Sequence, residues 1–237
     1  MTGTEINTGL LKGGIVLINK PYGWTSFDAV NKVRSILRKH YGIRKIKVGH
    51  AGTLDPLASG LVIICTGRMT KEIHRFQELE KEYIATFMLG KTTPSFDLET
   101  LVDREYETAH ITTGLIEKAL EKFTGEIDQI PPLFSAKFID GKRAYKMARK
   151  GGDIELPSSR VSIREIVVKR FELPELELSI SCSKGTYIRS LARDIGRELK
   201  SGAYLSALKR TRIGDYRLSS AVSPEEFEKD FRINQTK

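Results

Sequence analysis

Asp55 stands in the most chemically suggestive stretch of the chain. It lies in Gly49–Gly60, GHAGTLDPLASG, five residues after His50 and directly before Pro56. Proline fixes a turn and glycine admits backbone angles closed to other residues, so the stretch reads as a rigid loop holding one carboxylate. The residues alone leave two readings: a capped turn, or a carboxylate preorganised for catalysis. Other side chains have equally double settings. Lys20, before Pro21, could simply end a strand, and His50 taken alone reads as structural. Tyr83 could be a core aromatic with its hydroxyl at the surface. Arg189 lies near a helix start, where the helix dipole disfavours a cation unless a fixed anion stands beside it. Asp55 could be that anion, which would make the pair a structural ion pair or a tuned active site.

Several other chemistries find no support. His40, His50, His74 and His110 are far apart, with no metal-binding spacing. GKTTPS, at Gly90, looks like the tail of a phosphate loop, but the glycine that pattern needs is replaced by Ala85. Cys65 and Cys182 form no C-x-x-C and read as buried free thiols of a reducing compartment. SCSKGTY has no histidine at triad spacing.

The elements that must position these residues follow from periodicity. The 237 residues suit one large domain or two small ones. A formal net charge of +9 points to an anionic partner, most simply nucleic acid. The N-terminal stretch has no signal-peptide core and no apolar run reaches membrane-spanning length, so a soluble cytoplasmic protein is expected. Strands are predicted at Ile15–Ile18, LVIICTG, EYIATFMLG, VSIREIVVKRF and ELELSISCS, the last with Leu176, Leu178, Ile180 and Cys182 on one face. The helix TSFDAVNKVRSILRKH should bury Phe27, Val30, Val33 and Leu37, with Thr25 and Asp28 as a capping pair. TTGLIEKALEKFTG should bury Leu115, Ile116, Ala119, Leu120 and Phe123 and stop at Gly125. TYIRSLARDIGRELK should bury Ile188, Leu191, Ile195 and Leu199, and a last helix opens on Ser223, Pro224 and Glu226. Residues 31–50 carry seven Lys/Arg and no acid, and residues 131–170 carry ten bases against four acids. Residues 97–130 hold nine acids and three bases and should face away from an anion. Mixed strands and helices indicate an α+β class.

Five ordered motifs from about residue 13 to 217 resemble one family. GHAGTLDPLASG resembles the signature loop of the bacterial tRNA pseudouridine-55 synthases, the TruB group, in which 55 numbers the tRNA uridine. NKPYGWTSFDAV resembles its K-P-x-G-x-T-S motif, KEYIATFMLG its K-x-Y, SKGTYIRSLARDIG its G-T-Y-I-R and LSALKRTRIGDY its closing L-x-R-x-x-x-G. PPLFSAKFIDGKRAYKMAR resembles its substrate-gripping insertion, here about 131–153. The resemblance implies a mixed, mostly antiparallel central sheet flanked by helices, in a single catalytic domain over residues 1–237. It implies isomerisation of uridine to pseudouridine in the tRNA T-loop by base flipping, with no cofactor and no metal.

The same resemblance carries roles to matching positions. Asp55 is the nucleophile, Arg189 the arginine paired with it, and Tyr83 the aromatic that stacks on the uracil and serves in proton transfer. Lys20 supports the catalytic loop, His50 holds the flipped nucleotide and Leu208 lines the pocket. Lys142, Arg143 and Tyr145, in the basic insertion, are the expected grip on the T-arm. Ser95 and Thr100 replace the family's usual threonine and glycine near TTPSFD. About twenty residues follow Tyr216, too few for the further RNA-binding domain many members carry. A monomer acting on tRNA without an obligatory protein partner or a membrane is expected. The alternatives are a guide-RNA-dependent rRNA pseudouridine synthase and a non-catalytic tRNA-binding or folding protein.

Overall fold

In a computed structural model of the chain, residues 9–133, 138–139, 142–143 and 156–233 are described. The chain divides into two compact units, Met1–Glu82 with Lys209–Lys237, and Tyr83–Leu208. The fold is mixed, with a mostly antiparallel central sheet and flanking helices.

In the first unit β1 (Ile15–Lys20) leads to α1 (Ser26–Tyr41). Next come β2 (Val48–His50), β3 (Ala58–Thr66) and the short α2 (Ile73–Glu78). β1 and β2 both pair antiparallel with β3. β3 is buried over nearly its whole length, as its unbroken apolar run requires. Leu61, Ile63 and Cys65 pack with Ala51 and Ile213, edged by Ile15, Leu17, Phe76 and Tyr216. Both cysteines are buried and neither is in a disulfide, and burial pushes the Cys65 thiol up to about 11.

α1 starts on the expected capping box. Thr25 Oγ1 accepts from the Asp28 amide while the Asp28 carboxylate accepts from the Thr25 amide. Its buried face is Ser26, Ala29, Val30, Val33, Ile36 and Leu37. Phe27 departs from expectation: it is exposed. The chain ends in α5 (Pro224–Ile233), capped reciprocally by Ser223 and Glu226 as its sequence predicts.

In the second unit, β4 (Lys81–Leu89) leads to the small pair β5 (Lys91–Thr92) and β6 (Arg104–Glu105). After these come α3 (Thr113–Glu121), β7 (Gly125–Gln129), β8 (Phe138–Ile139) and β9 (Lys142–Arg143). The long hairpin β10 (Ser159–Glu172) and β11 (Glu175–Cys182) is followed by α4 (Ile188–Glu198) and β12 (Ala203–Ile213). Here the sheet runs β12-β4-β11-β10-β7. β4 and β12 each continue into the first unit, where β13 (Tyr216–Arg217) folds back on β12. β4 and β11 alternate buried and half-buried residues, and Leu176, Leu178, Ile180 and Cys182 are all inside. α4 buries Ile188, Leu191, Ile195 and Leu199 as predicted.

α3 corrects the expected helix in two ways. Only Ile116, Ala119 and Leu120 are buried along it, and Leu115 is exposed. The helix ends before Lys122, and Gly125 opens β7 rather than closing the helix. Its φ of 99° suits the turn into the strand.

Candidate active site

The Asp55 loop joins β2 to β3 and is held along its length by the rest of the first unit. Ser26 Oγ donates to the Leu54 carbonyl at 3.0 Å and accepts from the Leu54 amide at 2.8 Å. The Gly23 amide donates to the Pro56 carbonyl at 2.9 Å, and the Ala58 amide to that of Asp55 at 3.1 Å. Lys20 Nζ donates to the Ala58 carbonyl at 2.6 Å. From β12, Arg210 donates to the carbonyls of Thr53, Gly52 and Leu61 at 3.2, 3.2 and 2.7 Å. Groups on both sides of Asp55 are therefore fixed before any substrate arrives, the condition for a preorganised reacting group. Gly60 makes this approach possible: a Cβ there would lie 2.4 Å from the Arg210 carbonyl oxygen.

Lys20 and Arg210 are 0% and 1% exposed. Arg210 Nε, Nη1 and Nη2 each meet a loop or strand carbonyl, so its removal takes a buried donor from three carbonyls. Arg210→Met should lower unfolding free energy by roughly 2–5 kcal/mol, since each buried acceptor left unpaired is costly. Denaturant titration checks this, and an unchanged midpoint would refute the clamp.

Lys20 spends its three donors on the carbonyls of Pro21, Trp24 and Ala58. Burial pushes its pKa down to about 8. The Asp55 charge works against that shift and the Arg210 charge adds to it. Between about pH 8 and the ordinary lysine value, the unfolded chain therefore binds more protons than the folded one. Stability from this group rises across that window and is lost as pH falls through about 8. Wild type should gain on the order of 2 kcal/mol over Lys20→Met between about pH 7.5 and pH 10. Parallel unfolding profiles for the two proteins would show that burial does not depress this amine.

His50 ends β2. Burial, and then the Arg210 charge, hold its pKa below the ordinary histidine value, and interaction with the Gly52 backbone opposes them. The ring is therefore neutral at neutral pH. Nδ1 is the one buried side-chain nitrogen or oxygen among the described residues with no hydrogen-bond partner. Lys20, His50 and Asp55 are thus gathered with Arg210 in one unit, as the electrostatic coupling of Lys20 to both Asp55 and Arg210 also requires.

Tyr83, Arg189 and Leu208 lie on β4, α4 and β12, in the second unit. Tyr83 is on the buried face of β4 and Leu208 is half-buried. Arg189 is in the first turn of α4, where its charge needs an anion, and this unit supplies Asp97. Arg189 Nε and Asp97 Oδ2 are 3.6 Å apart, and both residues are 5% exposed. Asp97 is itself fixed. Its Oδ1 accepts from the Glu99 amide at 2.9 Å, and its carbonyl accepts from Thr93 and Ser95 hydroxyls at 2.7 and 3.2 Å. Ser95 and Thr100, the two departures from the family pattern, bond each other at 2.8 Å and each receives the other's backbone amide. The changes fit together as a pair.

Sequence reasoning does not single out Arg210, Asp97, Ser26 or Gly23. All four stand inside short motifs of the chain: L-x-R-x-x-x-G, TTPSFD and K-P-x-G-x-T-S. Lys142 and Arg143 form β9, which pairs with β8 through Ile139 and Phe138. Tyr145 and most of the insertion lie outside the described residues. Among the described residues no group of three or more His, Cys, Asp or Glu is placed to hold a metal ion.

Comparison with known proteins bears on what this arrangement does. Residues 38–188 match a model described as TruB family pseudouridylate synthase, N-terminal domain. Residues 189–237 match one described as tRNA pseudouridylate synthase B C-terminal domain. A Phocaeicola vulgatus protein named tRNA pseudouridine synthase B is 56% identical over 216 residues, 91% of this chain and 92% of that protein. A Flavobacterium johnsoniae protein of the same name is 49% identical over 223 residues, 94% of this chain and 97% of that one. Among solved structures, a chain from a Cbf5–Nop10–Gar1 complex superposes with a TM-score of 0.72 at 24% identity. That match covers 98% of this chain but 58% of the other, and shows a shared fold.

Proposed function

Because this chain belongs to the TruB family of pseudouridylate synthases, we propose how its own residues carry that family's reaction. The protein isomerises uridine to pseudouridine in tRNA. We place the target at position 55, in the T-loop. The N1–C1′ bond of the uridine breaks, the uracil turns, a C5–C1′ bond forms, the proton leaves C5 and N1 takes up one in its place; any bond Asp55 makes to the nucleotide is broken again before product leaves. Atoms and electrons balance within the nucleotide, so no oxidant or reductant is consumed.

The observation that carries the assignment of Asp55 is the clamped loop: carbonyls or amides from Gly52 to Ala58 are held by Lys20, Gly23, Ser26 and Arg210. That much fixation serves a side chain that must meet a reacting atom at one position. Asp55 acts as nucleophile, and Tyr83 stacks on the flipped uracil and takes part in proton transfer. Arg189 is the cation that pairs with this carboxylate. Lys20 supports the loop, and Leu208 lines the pocket. His50, neutral and with a buried nitrogen unmet, helps hold the flipped nucleotide. Lys142, Arg143 and Tyr145, in the insertion at about 131–153, grip the T-arm. The protein works as one catalytic domain and a monomer, in the cytoplasm, without an obligatory protein partner.

The guide-RNA-dependent and non-catalytic alternatives are less supported, because relatives at 49% and 56% identity carry the tRNA enzyme's name. Purified protein incubated with an unmodified tRNA transcript, and no other factor, should yield pseudouridine in the T-loop. Absence of product there would overturn the stand-alone reading.

A further inference from the structure

Residues 20–27 grip the Asp55 loop through Lys20, Gly23 and Ser26, yet two side chains of the same segment stand in solvent. Tyr22 is 60% exposed and Phe27 59%. Single exposed apolar side chains are ordinary. This pair is not placed at random. Tyr22 precedes Gly23, whose amide holds the Pro56 carbonyl, and Phe27 follows Ser26, which holds both backbone groups of Leu54. Each ring is thus one residue from a group fastened next to Asp55. The fold gains little by leaving them out, since burying Phe27 with the α1 stripe would have been favourable. A local preference broken beside a reacting group marks function more often than error.

The charges nearby say what would cover the rings. The Arg34 guanidinium lies 5.9 Å from the centroid of the Phe27 ring, and is held by Asn31 Oδ1 and the Val48 carbonyl. Arg38, Lys39, Arg44, Lys45 and Lys47 are exposed, and no acid occurs between residues 31 and 50. Of the basic side chains in this run, Lys32 is already paired with Glu228. Exposed rings followed by a row of exposed cations suit bases followed by phosphates. Flipping a base also leaves its neighbours without a stacking partner, which a protein ring can replace.

We propose that Tyr22 and Phe27 form a stacking platform for unpaired tRNA bases next to the reacting uridine, the cations of residues 34–47 taking the adjoining phosphates. The proposal rests on tRNA being the substrate. Its test is tRNA binding by Phe27→Ala, Phe27→Leu and Phe27→Trp, with Tyr22→Ala and Tyr22→Phe as the parallel pair. Stacking predicts roughly 5- to 100-fold weaker binding for Ala and for Leu, which keeps apolar bulk but no aromatic face. Phe27→Trp and Tyr22→Phe should bind as wild type. The slope of log Kd on log salt should be unchanged, because no phosphate contact is lost. Thermal midpoints should also stay, because both rings are in solvent. Wild-type affinity in the alanine variants, full rescue by Phe27→Leu, or a loss that tracks a fallen midpoint would each overturn the platform. If wild type makes no pseudouridine, the isomerase reading fails. If it does, and the alanine variants bind as wild type, this proposal alone fails.

Discussion

Asp55→Ala should make no detectable pseudouridine while its tRNA Kd stays within a few-fold of wild type. The expected loss of single-turnover rate is ~10⁴-fold or more, the scale seen when a covalent nucleophile is removed from an intact site. Binding survives because the clamps act on the loop backbone, not on the carboxylate. Leu54, Pro56 and Ala58 keep their partners in Ser26, Gly23 and Lys20 whatever side chain stands at 55. Asp55→Asn separates charge from shape and should be equally inactive. It should also leave Lys20 a second mark. The Asp55 charge is what raises the Lys20 pKa against burial, so either variant should drop that amine further below about 8. Substantial turnover by Asp55→Ala would remove the nucleophile assignment. A collapse of tRNA binding in both variants would mean the carboxylate shapes the loop instead.

What could be read from the sequence was whatever is local. The Thr25–Asp28 and Ser223–Glu226 boxes need residues three apart, and both are present. The alternation of Leu176, Leu178, Ile180 and Cys182 needs only a strand with one buried face. Asp55 itself could be noticed because glycine and proline surround it. Its support could not, because that support is distant. Arg210 meets Thr53 across 157 positions, and a lone arginine in a strand has no pattern that declares its partner. Asp97 is hidden in the same way, although its neighbours Ser95 and Thr100 depart from the family pattern. Phe27 failed for a different reason. It shares i, i+3 spacing with Val30, but it lies about 100° round the helix from Ser26, which is buried instead. Spacing from one neighbour fixed the wrong side, and the polar Ser26 gave no hint that it faced inward to hold Leu54.

Arg189→Lys should reduce turnover by roughly 100-fold or more, even though the charge is kept. The guanidinium is a planar fork that can serve two partners in one plane, and an ammonium is a point charge on a more flexible stem. In the second unit one partner is Asp97, with Nε 3.6 Å from Oδ2 and both groups buried. Asp97 cannot move to follow a lysine, because Glu99, Thr93 and Ser95 hold its carboxylate and carbonyl. The proposed second partner is the Asp55 carboxylate, so a single substitution disturbs both. A double-mutant cycle with Asp97→Asn tests the coupling. If Arg189 acts through a fixed Asp97, the two losses should fall well short of adding, by about 1–3 kcal/mol of interaction energy. Strict additivity would show that Asp97 only balances charge in the fold. Near-normal turnover by Arg189→Lys would show that the fork itself is not needed.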